Sequence, residues 1–441
     1  MDAPKSQSAI ASETQPGAEG RATSPRARRV GIALLLAGAV CAGMGQTIIF
    51  SILPPFAREL GLSNMEVGAM FMTGATFFVI AGPYWGRWSD RVGRKPFLMV
   101  GFMGLTVSLF TFGWAIRSGL SGALSGGALF AFMMFTRCIY GVFGSAGSAA
   151  TNAYIADRTS ASDRTAGLAA ATAAFGLGAM IGPGFGSALG VLGPAAPLFA
   201  IAALALASTI ALYLFLPERS RPVERKRAKR MTLFDSRYRQ FLLFGLGFGV
   251  ISAVPIQTIG FYFIDALEFE TDIAAQFAGV ALMSGAMASL FSQLVVVQRF
   301  RTPPNVLMRL APVLGIIGSA LIAVGGAFGP VIFGMMLVGF GTGLAVPGYA
   351  SAASLSVDTD EQGGVIGLVN SSKAAGFIVA PVIGFNLYDI SPQAPFIFCA
   401  GLGLALMAFA MLSRAIANAR PEPDAEPPLE AVERPASAPY Q

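Results

Sequence analysis

Histidine does not occur anywhere in the 441 residues. Its absence removes the commonest metal ligand and the one side chain that titrates near neutrality without perturbation. Cysteine is almost as rare. Cys41, Cys138 and Cys399 stand in apolar runs without a CxxC spacing, so small buried hydrophobes are expected rather than a disulfide framework or a metal site. Charged residues make up only 12% of the chain, against 54% hydrophobic ones, whereas a soluble domain is about one-quarter charged. That composition excludes a string of soluble domains and points to a polytopic membrane protein. Carboxylates are missing where catalysis would want them, because all 24 Asp and Glu fall in tails, loops or the ends of apolar runs. Without paired acids, histidine or a nucleophile–base pair inside those runs, an enzyme is not expected. No ATP-binding signature or cofactor motif is present either.

What is there is apolar length. A span needs about 20 mostly apolar residues, and windows of that size fall near 30–52, 66–86, 97–116, 126–150, 166–190, 195–216, 241–264, 274–297, 306–326, 328–350, 364–388 and 393–413. The first follows Arg26, Arg28 and Arg29 but is longer than the apolar core of a signal peptide, so it reads as a retained helix. With the N-terminus inside, twenty-six of the thirty Lys and Arg lie on the cytoplasmic side; Arg58 and Arg117 lie outside, and Arg137 and Lys373 within spans. That asymmetry is the positive-inside pattern. It predicts twelve transmembrane helices in a bacterial inner (plasma) membrane with both termini cytoplasmic. The net charge of +6 is explained by these loops and anionic lipid, so nucleic acid is not an expected partner.

The longest charged connection, residues 217–240, falls almost at the middle and reads as a basic cytoplasmic linker. It would join an N-terminal six-helix bundle (30–216) to a C-terminal one (241–413). The Pro-, Ala- and Ser-rich tails 1–29 and 414–441 are expected to be disordered. The halves repeat: Gly178, Pro183, Gly186 and Pro197 recur as Gly376, Pro381, Gly384 and Pro395 at a constant offset of 198. Duplicated six-helix halves are an architecture of secondary transporters, whose site lies between them near the midplane.

Between the second and third spans stands GRWSDRVGRKP, residues 86–96, five charges in eleven residues. It reads as a short cytoplasmic turn. Gly86 would let the second helix approach a neighbour, Asp90 would accept from a helix N-terminus, and Gly93 would supply the turn. Arg91, Arg94 and Lys95 would face phosphates or carboxylates. A merely basic turn would need neither the glycines nor the aspartate. This stretch resembles the loop signature of the major facilitator superfamily, with Trp88 where an aliphatic residue is usual. RCIYGVFGSAG (137–147) resembles the second signature of its drug–proton antiporters, with Tyr140 in place of a glutamine. GAMIGPGFG (178–186) is similar to the antiporter signature, with Ser187 replacing its last glycine.

The resemblance covers about 30–413. It implies an all-α fold of two six-helix bundles related by a pseudo-twofold, of the tetracycline and multidrug exporter branch. It further implies alternating access, with the loop as a conformational latch in which Asp90 meets the start of the eleventh helix near Gly363 and Gly364 and Arg94 pairs with Asp157. Gly178, Gly182, Pro183 and Gly186 would form a hinge in the fifth helix.

A charge at mid-span costs roughly 2.5–3.5 kcal/mol and must face a cavity or partner. Arg137 and Lys373 are the two such residues. Many family members carry a carboxylate in the first helix, where this chain has Gln46 and Thr47, so the proton carrier is not visible. Lys373 is a candidate, since burial lowers a lysine's affinity for its proton. Two unpaired cations would favour an anionic or electronegative substrate and repel lipophilic cations. Phe50, Tyr140, Phe175, Phe261 and Tyr349, beside Gln46, Gln257 and Asn370, could form an adaptable aromatic wall. Two readings result: proton-coupled efflux of a small organic molecule, drug or metabolite, by a monomer; or an organic-anion symporter, exchanger or facilitator binding its substrate through Arg137 and Lys373.

Overall fold

A computed structural model describes residues 25–158, 161–216, 231–232, 235–300, 302–358 and 361–419. The tails 1–24 and 420–441 and most of the linker expected at 217–240 lie outside the described residues. Among the described residues, twelve helices are long and apolar enough to cross a membrane. In chain order they are α1 (Pro25–Ala57), α2 (Asn64–Val92), α3 (Lys95–Leu120) and α4, whose segments Gly126–Ile139 and Ser145–Arg158 flank a π-helical turn, Tyr140–Gly144. There follow α5 (Ala161–Gly190), α6 (Ala196–Phe215), α7 (Arg239–Asp265) and α8 (Thr271–Ser292, continued as π-helix over Gln293–Arg299). α9 (Pro304–Val324), α10 (Phe328–Leu355), α11 (Gln362–Tyr388) and α12 (Ala394–Leu412) complete the set, before a short α13 (Arg414–Asn418).

Helices are the structures this sequence allows in lipid, because each satisfies its backbone polar groups internally. Their ends carry local signals. Ser63 and Glu66 form a reciprocal capping box at the start of α2, and Pro96, Pro197, Pro304 and Pro395 stand in first turns, where a missing N–H costs nothing. Several helices run past the apolar windows. The charged knot at 86–96 is therefore mostly helix: Gly86–Val92 is the end of α2, and Lys95 already begins α3. The turn is just Gly93 and Arg94. Gly93 has φ +117°, a conformation that a side chain disfavours.

Small residues set the crossings. A Cβ on Gly178 would strike the Val40 backbone of α1, and one on Gly376 would lie 2.7 Å from the Leu246 carbonyl of α7. Likewise Gly43 lies against the Phe175 carbonyl, and Gly249 against that of Lys373. The α1–α5 and α7–α11 crossings are thus the same contact made twice, with an offset of 206 along α1 and α7 and 198 along α5 and α11. Gly141 on α4 and Gly339 on α10, again 198 apart, abut the Gly74 carbonyl of α2 and the Gly285 carbonyl of α8. The molecule is two six-helix bundles related by a pseudo-twofold. They meet through α1, α2 and α5 of one and α7, α8 and α11 of the other.

Just before α7, Arg237 donates to Glu361 at the foot of α11 (2.8 Å) and to Asp235 (2.8 Å). Met231 packs on Gly364, and the Tyr238 hydroxyl donates to the Thr232 carbonyl at 2.6 Å. Hydrogen bonds from Arg237 hold the Asp235 carboxyl below its usual range, and the same bonds with Asp235 and Glu361 raise Arg237 further above neutrality.

Candidate functional site

The bundles touch firmly at one end only. There Arg58 of α1 donates to Asp265 of α7 at 2.9 Å, Tyr388 of α11 donates to the same carboxylate at 3.0 Å, and Asn64 donates to Asp389 at 2.7 Å. The Arg58 guanidinium lies over the Phe261 ring, and Gly68 of α2 abuts Phe385 and Pro381 of α11. A little deeper, Ser187 of α5 donates to the Gln276 carbonyl of α8 at 2.9 Å. At the opposite end the glycines of α2 and α11 face open space: a Cβ on Gly82, Gly86, Gly363 or Gly367 would meet nothing within 4 Å.

Between the sealed and open ends lies a cavity of about 460 Å³, within the range of small-molecule sites. Gln46, Phe50, Arg137, Tyr140, Phe175, Gln257, Asn370 and Lys373, drawn from five helices, all line it. No Asp or Glu does so among the described residues. Phe261 and Tyr349 do not line it. Phe261 is fully buried against Phe385 and Tyr388 in the sealed end, because it stands one turn from Asp265. Tyr349 is 1% exposed and packs beside Phe244 inside its own bundle. Sequence reading also passed over Thr47, Phe78, Ser252, Ser289 and Thr342 in the lining. Gln46 and Ser252 occupy corresponding places on α1 and α7, 206 apart and close to the duplicated glycines, and that spacing was the available signal for Ser252.

The two cations differ. Arg137 is 6% exposed. It donates to Ser108 of α3 at 3.1 Å and is flanked by the rings of Phe112 and Tyr140, with its guanidinium carbon 5.2 and 5.0 Å from their centroids. Its buried Nε lacks a partner. Such a boxed guanidinium is held by cation–π attraction and packing. Lys373 is half-buried and makes no hydrogen bond or ion pair among the described residues. The Gln257 amide donates weakly to the Phe377 carbonyl at 3.4 Å and leaves its own oxygen unpartnered. The cavity therefore offers one free cation and a set of amides and hydroxyls on the α7/α8/α10/α11 wall, facing aromatic rings on the other.

The residues expected to form a latch are only partly engaged. Arg94 donates to Asp157 at 2.9 Å, as expected, and also to Ser89 and to Asp90. Asp90 does not meet Gly363 or Gly364, because α2 and α11 are parted at this end and Gly364 is covered by Met231. Gly86 has no close neighbour for the same reason. Lys95 faces neither phosphate nor carboxylate: it donates to the Tyr213 carbonyl at 2.8 Å, capping the negative end of α6. Arg91 is exposed. Gly178, Gly182 and Gly186 pack along α1, and Pro183 sits within an unbroken α5 beside α8.

Among the described residues, no group of three or more Cys, Asp or Glu side chains could hold a metal ion. A family model described as Major Facilitator Superfamily matches residues 35–381 and 309–439. Multidrug resistance protein 1 of Bacillus subtilis (strain 168) is 26% identical over 86% of this chain and 96% of its own length. The class D tetracycline resistance protein of Salmonella ordonez is 26% identical, over 80% of this chain and 88% of that protein. Among solved structures, an inward-facing, occupied bacterial homologue of the human lysosomal transporter Spinster superposes with a TM-score of 0.70. It shares 13% identity, covering 91% of this chain and all of that one.

Proposed function

This chain belongs to the major facilitator superfamily and is a multi-pass membrane transporter, not an enzyme, and from that premise we propose that it exports a small organic molecule in exchange for protons by alternating access. The observation that carries the reading is the central cavity, sealed at the Arg58–Asp265 end, open at the other, and built from both bundles. Relatives named for multidrug and tetracycline resistance support export. The distribution of Lys and Arg supports an open end, linker and termini on the cytoplasmic side of a bacterial inner membrane. The linker 217–240 divides the bundles 30–216 and 241–413, and the unit works as a monomer. When the open end closes, Gly86 and Asp90 reach the start of α11 while Arg94 stays on Asp157. α5 flexes about Pro183 and its glycines.

Lys373 carries the proton in this scheme, as the lining group that is both ionisable and free. A protonated Lys373 repels a cation and competes for space with a neutral substrate, which is the mutual exclusion that antiport requires. The absence of any partner for Lys373 also favours the second reading. If the substrate is an organic anion, the same proton attracts it, and the two travel together or the anion exchanges. The sign of coupling separates the readings. In proteoliposomes with an imposed pH gradient, uptake of tetraphenylphosphonium, an aryl amide and an aryl carboxylate would be compared. Opposed proton and substrate flux supports antiport, parallel flux the anion carrier, and no flux of any probe defeats both. Lys373→Gln should abolish gradient dependence; full gradient-driven transport in that variant removes the proton role from Lys373.

A further inference from the structure

A second cavity, of about 340 Å³, is lined wholly by residues of the first bundle, from α1, α2, α3, α4 and α5. It shares Gln46, Phe78, Tyr140 and Phe175 with the central cavity, so those four side chains form a common doorway. Its far walls are small: Ala39, Ala42, Gly101, Gly147, Thr151 and Ala171. Its hydroxyls are largely spent. Thr151 donates to the Gly147 carbonyl at 2.7 Å and Thr172 to that of Leu168 at 3.0 Å, so neither hydroxyl has a proton left to donate into the space.

The pseudo-twofold shows that this space is not a by-product of the fold. At the offsets established above, Thr151 corresponds to Tyr349, Ala171 to Val369 and Ala42 to Phe248. In the second bundle those three are 1–2% exposed and pack in one core. The Tyr349 ring lies 3.1 Å from where a Cβ on Gly245 would be. One bundle fills the place with two aromatic rings, where the other has Thr151 and Ala42 and leaves it open. The π-turn at Tyr140–Gly144 contributes, since one extra residue per turn re-aims the segment of α4 that carries Gly147, Ser148 and Thr151.

We propose that the side cavity is an apolar subsite that receives an alkyl or aryl arm of the molecule held in the central cavity, entering between Gln46 and Tyr140. This rests on the reading that the central cavity holds a small organic molecule, and it adds a length rule: affinity depends on an apolar arm able to pass the doorway. Continuity with the central cavity argues for an arm of that same molecule rather than a separate ligand.

The test uses the whole protein in lipid nanodiscs and a series of 4-alkylbenzoates and 4-alkylbenzamides, from methyl to octyl, titrated calorimetrically against empty nanodiscs. In the native protein, affinity should rise by up to about fourfold per methylene and level off once the side cavity is full. Thr151→Tyr, which installs the plug of the other bundle, should leave the methyl compounds within about twofold of native and weaken the octyl ones at least tenfold. Thr172→Phe, at an exposed position on the pocket wall, guards against misfolding of the first variant and should act in the same direction. Chain-length dependence that survives both substitutions overturns the subsite while leaving the transport reading intact. So does loss of a co-purifying phospholipid from Thr151→Tyr without altered probe selectivity, which would assign the space to lipid. No binding of any probe by the native protein defeats the subsite and the central site together.

Discussion

Arg137 and Lys373 stand at similar depths, and neither has an acid beside it, yet their surroundings set them apart. Arg137 is part of the packing of α3 on α4: removing it empties a box made by Ser108, Phe112 and Tyr140. Lys373 packs with no partner and carries a cost that nothing else in the described residues offsets. Thermal unfolding in nanodiscs should therefore move in opposite directions. Arg137→Gln should lower the melting temperature, whereas Lys373→Met should raise stability, by at most roughly 2.5–3.5 kcal/mol on the insertion scale, while impairing transport. Equal shifts would show that the two sites are energetically alike. The sequence already exposed both cations, since a charge in an apolar run is conspicuous. It did not place Phe261 or Tyr349. Every face of these helices is apolar, so hydrophobic periodicity cannot tell a ring that lines a cavity from one that seals an end or fills a bundle.

At the scale of the helix, length and number were legible because crossing a bilayer fixes both, and the repeat of glycine and proline gave the pairing of α5 with α11. The ends were less so. Apolar windows stop where charge begins, but helical hydrogen bonding continues through Asp90 and Asp157, and the knot became the end of a helix rather than a loop. Glycines on these helices fall into two kinds that composition cannot separate. Gly376 is closed in by backbone atoms, so Gly376→Ala should cost about 1–3 kcal/mol through forced separation of α7 and α11, read as a lower melting temperature. Gly363 faces open space in this conformation. Gly363→Leu should leave the melting temperature unchanged within a degree or so, yet slow transport at least fivefold by obstructing closure of α2 onto α11. Unimpaired transport in that variant would show that the two helices do not meet there.

For the whole molecule, one conformation of the transporter is visible, sealed at one end, and the described ion pairs say what holds that seal. The Arg58–Asp265 pair is partly exposed, with side chains 38% and 27% accessible, so its worth is about 1 kcal/mol or less. Together with Tyr388 and the Asn64–Asp389 bond it makes a seal that can part at modest cost. Asp265→Asn should shift the population by roughly fivefold toward a state opened at that end. Spin labels on cysteines at Ser121 and Ala327, in the α3–α4 and α9–α10 connections, would report it as a longer distance. An unchanged distance distribution would mean that other contacts hold the seal. Nothing in the sequence announced this state, because Arg58, Asp265 and Tyr388 are far apart along the chain and the duplicated halves do not repeat them.

The clasp of Arg237 on Asp235 and Glu361 has a bearing on how far the halves can travel. Asp235, its carboxyl held low by the hydrogen bonds of Arg237, stays ionised at neutral pH and keeps Arg237 positioned for Glu361. Residues 231–232 and 235–238 then ride as cargo of the second half, and the leash joining the halves shortens to 217–230. Fourteen residues reach roughly 50 Å at full stretch, and that contour caps the gape of the mouth, whatever pulls upon it.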